Sequence, residues 1–311
     1  MSSSQNSASS HGFLIALIAT LLWSTTGPLI SYLSKTYLLP SLVLAFWRDL
    51  FVSFGMVVGL LVLSRGRFAL ARAHWGFMTL YGLTLAVFNA AWTFSVEYNG
   101  AAVATVLAFS SPALTAMLSY LIFKEKFSPI KITSIALSFA GTILVSGAHD
   151  PAIWKLNPLG IVTGLLTGLM FAFYNLEGKA ATDKQIDSWT ALLYSFAGAM
   201  FFLFFFNLGN DLLITHKTPL SDMLWLGNSV SGWGILFLLA VVPTLGGFGL
   251  YTLSLRSLSP TVANLIATLE PVLAGIWAFL FLGEMLSGVQ WVGSLLVMAG
   301  VVLLRVGNTK K

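Results

Sequence analysis

Apolar residues in this chain come in long runs separated by short polar punctuation, and the runs are too long to be strands. Gly12–Ile30 and Ile130–Val145 lack the strict alternation that a half-buried strand shows. A membrane-spanning helix needs about 20 mainly apolar residues, because the hydrocarbon core is about 30 Å thick and each residue rises about 1.5 Å. A transmembrane barrel would instead read as alternating segments of about ten residues with a polar lumen side. The pattern predicts ten helical spans, at about 12–34, 38–63, 74–96, 100–123, 129–147, 158–179, 188–208, 232–254, 259–282 and 287–305. The longest polar connection is Gly209–Ser231, the one candidate for an ordered external loop. Most other connections are very short, so neighbouring spans run antiparallel.

Composition agrees with lipid as the solvent. The chain has 311 residues, 57% hydrophobic and only 9% charged, with 24 Phe, 10 Trp and 8 Tyr. Soluble domains carry about 25% charged residues, so 27 charged side chains cannot clothe a water-facing surface of this size. The aromatic content equally excludes a disordered chain. Residues 1–11 form a Ser-rich polar tail without Lys or Arg, unlike the n-region of a cleaved signal peptide, so the first span is expected to be retained.

The net charge of +5 is explained by topology. With the N-terminus inside, Arg65, Arg67, Arg72, Lys124, Lys126, Lys131, Lys179, Lys184, Arg256, Arg305, Lys310 and Lys311 all fall on the cytoplasmic side. Only Lys35, Lys155 and Lys217 fall outside, and Arg48 is left within a span. Loop Lys and Arg residues set orientation, so both termini are expected in the cytoplasm, of a bacterial plasma (inner) membrane. No nucleic-acid patch is needed to account for the charge.

The chain also repeats. Shifted by 159 residues, Val87–Ser146 aligns with Gly246–Arg305 without a gap, and 14 of 60 positions are identical. Apolar composition alone would yield several matches. In-register Pro112/Pro271, Glu125/Glu284, Ser128/Ser287 and Gly141/Gly300 are much harder to obtain by chance. Residues 12–147 and 158–306 thus read as two five-span units. An odd number of spans per unit makes the second cross the membrane in the opposite sense, which is the inverted-repeat architecture of secondary transporters.

Thr268–Glu284, TLEPVLAGIWAFLFLGE, resembles the ninth-helix signature of the drug/metabolite transporter superfamily, in its ten-helix EamA-type branch. Ser110–Glu125, SSPALTAMLSYLIFKE, resembles the matching stretch of the first repeat, and Leu21–Trp23 and Arg48 also fit the pattern. The resemblance covers residues 12–306. It implies an all-α basket of ten helices around a central cavity lined by spans 1, 3, 4, 6, 8 and 9. Family cargo ranges over amino acids, sugars, nucleotide-sugars, amines and drugs.

Scarcity of charge within the spans selects the candidate chemistry. Glu270 lies near the middle of span 9, where an ionisable side chain costs about 2.5–3.5 kcal/mol, so it must face a cavity or a partner. It is a candidate for a coupling proton; a protonated, purely structural carboxyl beside Pro271 is the alternative. Its repeat counterpart is Ser111, within a strip of small residues that either packs helices closely or leaves room for a ligand. Arg48 lies about 12 Å below the start of span 2 and needs a carboxylate, a carbonyl or water. Asp49 is adjacent but about 100° away around the helix, so the pair is not obvious. Arg48 is read either as a structural tie or as an anion-recognising group. Trp23, Asn89, Trp92, Tyr174, Asn175, Tyr251 and Asn264 complete the cavity candidates, because buried amides orient ligands and aromatic faces suit cationic or aromatic cargo. Pro28, Pro112, Pro243 and Pro271 are candidate hinges or static kinks. Glu125 and Glu284 precede Ser128 and Ser287, where carboxylates beside helix N-termini are favourable.

The expected function is a secondary transporter, an exporter of small metabolites (amino acids or related compounds) or drugs. Its partners are the lipid bilayer and a small-molecule substrate, with a coupling proton as the candidate driving ion; monomer and homodimer stay open. Without Cys, and with His11, His74, His149 and His216 in the tail or near span ends, no metal, cofactor or catalytic set is expected. A membrane-embedded enzyme would need several Asp, Glu or His residues converging near one face. A channel would need a repeated polar ring; the spans supply mainly Glu270 and Asp49 for the first and fit the second poorly, and these two stand as the alternatives.

Overall fold

Backbone N–H and C=O groups in hydrocarbon must find partners within the chain, and this sequence does so almost entirely through helices. The computed structural model describes residues 2–63, 72–125, 128–153, 157–216, 218–282 and 287–309, and among them there is no strand. Arg65, Arg67, Lys126, Trp154, Lys155, Lys217, Glu284, Lys310 and Lys311 lie outside the described residues. In chain order the helices are α1 (Ser2–Trp23), α2 (Thr26–Thr36), α3 (Ser41–Leu63), α4 (Trp75–Ala108), α5 (Ser111–Phe123), α6 (Pro129–Val145) and α7 (Pro158–Asp183). They continue with α8 (Ser188–Gly209), α9 (Val230–Leu239), α10 (Gly247–Ser254), α11 (Pro260–Ala267), α12 (Glu270–Leu282) and α13 (Gly288–Thr309).

Seven helical stretches among the described residues are long and apolar enough to cross a membrane: His11–Thr36, Ser41–Val62, Arg72–Tyr98, Val103–Phe123, Pro158–Asp183, Ser188–Ile214 and Val230–Ser254. The remaining expected spans do not meet that length. Pro129–Val145 and Gly288–Leu304 are apolar but shorter, and 260–282 is split into α11 and α12. Two boundaries differ from the sequence expectation. The helix continues through 96–100, where a loop is expected, because Asn99–Gly100 is a weak stop ahead of the helix-forming Ala101–Ala104. The helix of α1 also begins at Ser2, inside the segment read as a tail.

Helix starts are specified locally. Ser128, Asn157, Asp187 and Ser229 accept hydrogen bonds from the first-turn N–H groups of α6, α7, α8 and α9, with Pro129 and Pro158 at first helical positions. Helix interruptions are specified too. Helical hydrogen bonding breaks at Ser24–Thr25, at Phe109–Ser110 and at Thr268–Leu269, each within four residues of a proline, and widens to a π-helical segment at Ala240–Gly246 around Pro243. A proline donates no N–H and frees a carbonyl. At every interruption a hydroxyl bonds a nearby carbonyl: Ser24 to Leu21 (2.7 Å), Ser110 to Leu107 (2.7 Å), Thr268 to Leu265 (2.6 Å) and Thr244 to Leu239 (2.8 Å).

Long pairings build the bundle: α4 lies along α7, α6 along α13, and α3 and α4 against α8. One end carries Gly12 against Ser257 and Leu258, the Arg256–Asp187 pair and Glu125. The opposite end is tied by the 210–231 connection, through Trp225 Nε1 to the Tyr37 carbonyl (2.8 Å), Trp47 Nε1 to the Met223 carbonyl (2.6 Å) and the Tyr37 and Ser231 hydroxyls (2.8 Å).

The α6–α13 contact depends on missing side chains. A Cβ on Gly141 would lie 2.6 Å from the Gly293 carbonyl oxygen and 2.7 Å from the Val297 nitrogen, both backbone atoms that cannot yield. Gly141→Leu is therefore expected to cost at least about 1–3 kcal/mol by overpacking. Gly59→Ala, where nothing lies within 4 Å, should stay within about 0.5 kcal/mol of wild type. Unfolding in detergent micelles checks both; equal midpoints for the two variants would refute the close approach.

Candidate functional site

A cavity of about 530 Å³ occupies the half of the bundle away from Gly12 and Arg256 and reaches Val145, Ser146 and Gln290 at the opposite end. Its wall takes residues from all four interruptions: Ser24, Phe109, Thr244, and Glu270 with Pro271. Irregular backbone at membrane depth is tolerated where it lines a cavity or is buried in protein, and the hydroxyl bonds described above complete that tolerance. Trp277 Nε1 donates to Ser24 Oγ (2.7 Å) and ties α12 to the first interruption.

Aromatic rings floor this cavity. Trp23 packs edge-on against Phe171 (centroids 6.0 Å) and Phe248 (4.7 Å) and lies 4.7 Å from the Tyr251 ring. Phe88 stacks on Phe171 at 5.3 Å and continues the wall towards Trp92. Gly247 allows this arrangement, since a Cβ there would lie 2.6 Å from the indole nitrogen of Trp23.

Two ionisable residues line the cavity, and their surroundings differ. Arg48 is 5% exposed and sits in a buried triad: its Nε donates to Asp49 Oδ1 (3.3 Å), its terminal nitrogen donates to Asn89 Oδ1, and Asn89 Nδ2 donates to Asp49 Oδ2 (2.8 Å). The adjacent Arg48 and Asp49 do pair, contrary to the sequence expectation. The 100° separation is closed because the long guanidinium folds towards the carboxylate and Asn89 on α4 bridges both. Glu270 has no such company. It is partly exposed to the cavity, and among the described residues no side chain is hydrogen-bonded to it.

Of the ten residues the sequence nominates for binding, Trp23, Arg48, Asn89, Trp92 and Glu270 line this cavity. Ser111, Tyr174, Asn175, Tyr251 and Asn264 do not; each is fully buried between helices. Asn264 Nδ2 donates to Thr115 Oγ1 (2.8 Å) and its Oδ1 accepts from Ser111 Oγ (3.4 Å), joining α11 to α5. Tyr251 donates to the Asn175 carbonyl oxygen, joining α10 to α7. Pro271 lines the cavity, whereas Pro28, Pro112 and Pro243 lie in the helical segments beside its wall.

Glu125 is also differently employed from the capping expectation. Its carboxylate accepts from Lys131 Nζ, from Ser259 Oγ (2.7 Å) and from Thr261 Oγ1 (3.1 Å), which joins it to the start of α6 and of α11. Sequence reading passes over Gln290, the repeat counterpart of Lys131, and Glu177, three residues on from Tyr174. The only signal for either is its register in a span, which does not fix which face of the helix is buried.

Removing one member of a buried charge pair strands the other. Asp49→Ala should cost about 3–5 kcal/mol in detergent unfolding, and Arg48→Met added to it should recover much of that loss. Strictly additive losses in the double variant would show that the pair is not coupled.

The sequence profile described as "EamA-like transporter family" matches residues 10–147 and 158–306. The chain is 24% identical to the uncharacterised transporter YwfM of Bacillus subtilis, over 96% of this chain and 95% of that protein. It is 22% identical to the uncharacterised inner membrane transporter YicL of Salmonella typhimurium, over 96% and 97%. Protein PecM of Dickeya dadantii is 25% identical over 74% of this chain and 73% of its own length. A solved crystal structure shares the fold at a TM-score of 0.77 with 15% identity, covering 96% of this chain and 97% of that one.

Proposed function

This chain belongs to the EamA-like transporter family, and from that premise we propose that it is a secondary transporter exporting small metabolites, amino acids or related amines, or drugs. In this reading two inverted five-helix repeats alternate around the central cavity, in a bacterial plasma (inner) membrane with both termini cytoplasmic. The observation that carries it is the cavity itself. About 530 Å³ is large enough for a small metabolite, and binding cavities of this kind run from about 300 to 1,000 Å³. Two features support the repeat: helices break at Phe109–Ser110 and again at Thr268–Leu269, 159 residues on.

The Lys- and Arg-rich end is cytoplasmic by the positive-inside rule, so the cavity faces outward in this state. Inward passage is closed by the Trp23–Phe171–Phe248–Tyr251 floor and by the Glu125 clamp, which joins the first repeat to the second. Alternation requires that these contacts separate while the opposite end closes. Pro28, Pro112, Pro243 and Pro271 sit where helices are already interrupted, and there rotation costs fewest backbone hydrogen bonds.

Cargo chemistry follows from the asymmetry of charge. Arg48 is already answered by Asp49 and Asn89, whereas Glu270 faces the cavity without a partner. An ammonium group on the cargo would answer it, with the rings of Trp23, Phe88 and Trp92 flanking the apolar part.

The test is uptake into proteoliposomes of compounds selected by thermal shift from amino acids and organic amines. Saturable uptake accelerated by unlabelled compound inside is the expected result. Conductance indifferent to internal compound would mean a channel, and covalent turnover an enzyme; either would overturn the proposal. Glu270→Gln should weaken amine-bearing cargo about tenfold, equivalent to about 1.4 kcal/mol, and leave cargo without an amine unaffected.

A further inference from the structure

Below the aromatic floor, on the Gly12–Arg256 side, lies a group of polar side chains that the cavity does not use. Glu177 on α7 is 9% exposed; Thr84 Oγ1 donates to its Oε1 (3.1 Å), and its Oε2 has no partner. Around it stand the phenols of Tyr81 on α4 and Tyr174 on α7, both fully buried, whose rings lie 4.8 Å apart. Their hydroxyls are also without hydrogen-bond partners, as are Thr252 Oγ1 on α10 and the indole nitrogen of Trp23 in the floor. Among the described residues eight buried side-chain atoms lack partners, and these five are among them.

Among the described residues no cation pairs with this carboxyl. Lys179 pairs with Asp183 (2.8 Å), Lys184 sits over the Phe77 ring, and Arg256 pairs with Asp187 (3.1 Å). The titratable groups facing Glu177 are Tyr81 from α4 and Tyr174 from its own helix. A carboxylate buried without a cation is expensive, whereas a carboxylic acid supplies one O–H donor for the waiting phenol oxygens.

We propose that Glu177 is the site of the coupling proton, distinct from the cargo-facing Glu270. The inference rests on the transporter reading. When the aromatic floor loosens on the cavity side, a proton from cavity water adds to the Glu177 carboxylate and forms its O–H bond, which donates to Tyr81 or Tyr174. Separation of the cytoplasmic contacts then exposes Glu177 to water on that side, the O–H bond breaks, and the proton leaves to solvent. One proton enters for each cargo molecule exported. Thr84 is the positioning residue, because its hydroxyl fixes one carboxylate oxygen and leaves the other for the proton.

The test needs no cargo. Infrared difference spectra of the detergent-solubilised full-length protein, titrated between about pH 5 and 9, report carboxyl groups gaining and losing protons. The titrating carboxyl band of the wild type should lose a component in Glu177→Gln that Glu270→Gln retains. An unaltered band in Glu177→Gln would overturn the assignment. Should that variant not fold, Thr84→Val serves instead: it should move the midpoint of the band several-fold in proton concentration, and an unmoved midpoint would equally overturn it. Loss of counterflow for every compound with the Glu177 band intact would sink the transporter reading alone.

Discussion

The demand that every backbone polar group find a partner out of reach of water governs this molecule. Helices satisfy it everywhere except at four interruptions, and there Ser24, Ser110, Thr244 and Thr268 supply hydroxyls to nearby carbonyls. All four interruptions border one cavity. The same local exception to helical bonding thus opens space, provides polar atoms to line it, and concentrates the backbone freedom that alternating access would use.

Charge follows a matching economy. The deepest basic residue, Arg48, is neutralised by Asp49 and Asn89 in a triad that also fastens α3 to α4. Among the described residues, Glu270 in the cavity and Glu177 beneath its floor carry carboxyls with no ion pair. An uncompensated carboxyl in a membrane protein is costly, which is why the proposed roles, one meeting cargo and the other holding a proton, fall on these two. The aromatic floor keeps these apart, with Trp23 above and Tyr174 below the packed rings of Phe171 and Phe248.

Much of the fold is legible without coordinates. Runs of apolar residues locate the helices, prolines locate the interruptions to within a few residues, and half of the nominated binding residues line the cavity. The other half show where reading a single span fails. Tyr174, Asn175 and Tyr251 look like cavity residues because they are polar and mid-span, yet α7 and α10 turn them into each other. Glu125 reads as a helix-terminal carboxylate, yet its partners Ser259 and Thr261 lie more than 130 residues away.

What the sequence determined by itself is what the solvent and the local backbone set: the all-helical character, many of the helix starts, the interruptions near prolines and the internal repeat of sequence. Hydropathy, capping and proline chemistry act over a few residues and leave their mark in order along the chain. Tertiary structure alone decided which polar residues face the cavity, which neutralise one another and which remain unpaired. In lipid the outer surface is apolar and so is much of the helix–helix contact, so hydrophobicity does not tell one face of a span from another. Only the packing of α4 against α7, and of the interrupted helices around the cavity, gives Arg48 its partners and, among the described residues, leaves Glu177 and Glu270 without an ion pair.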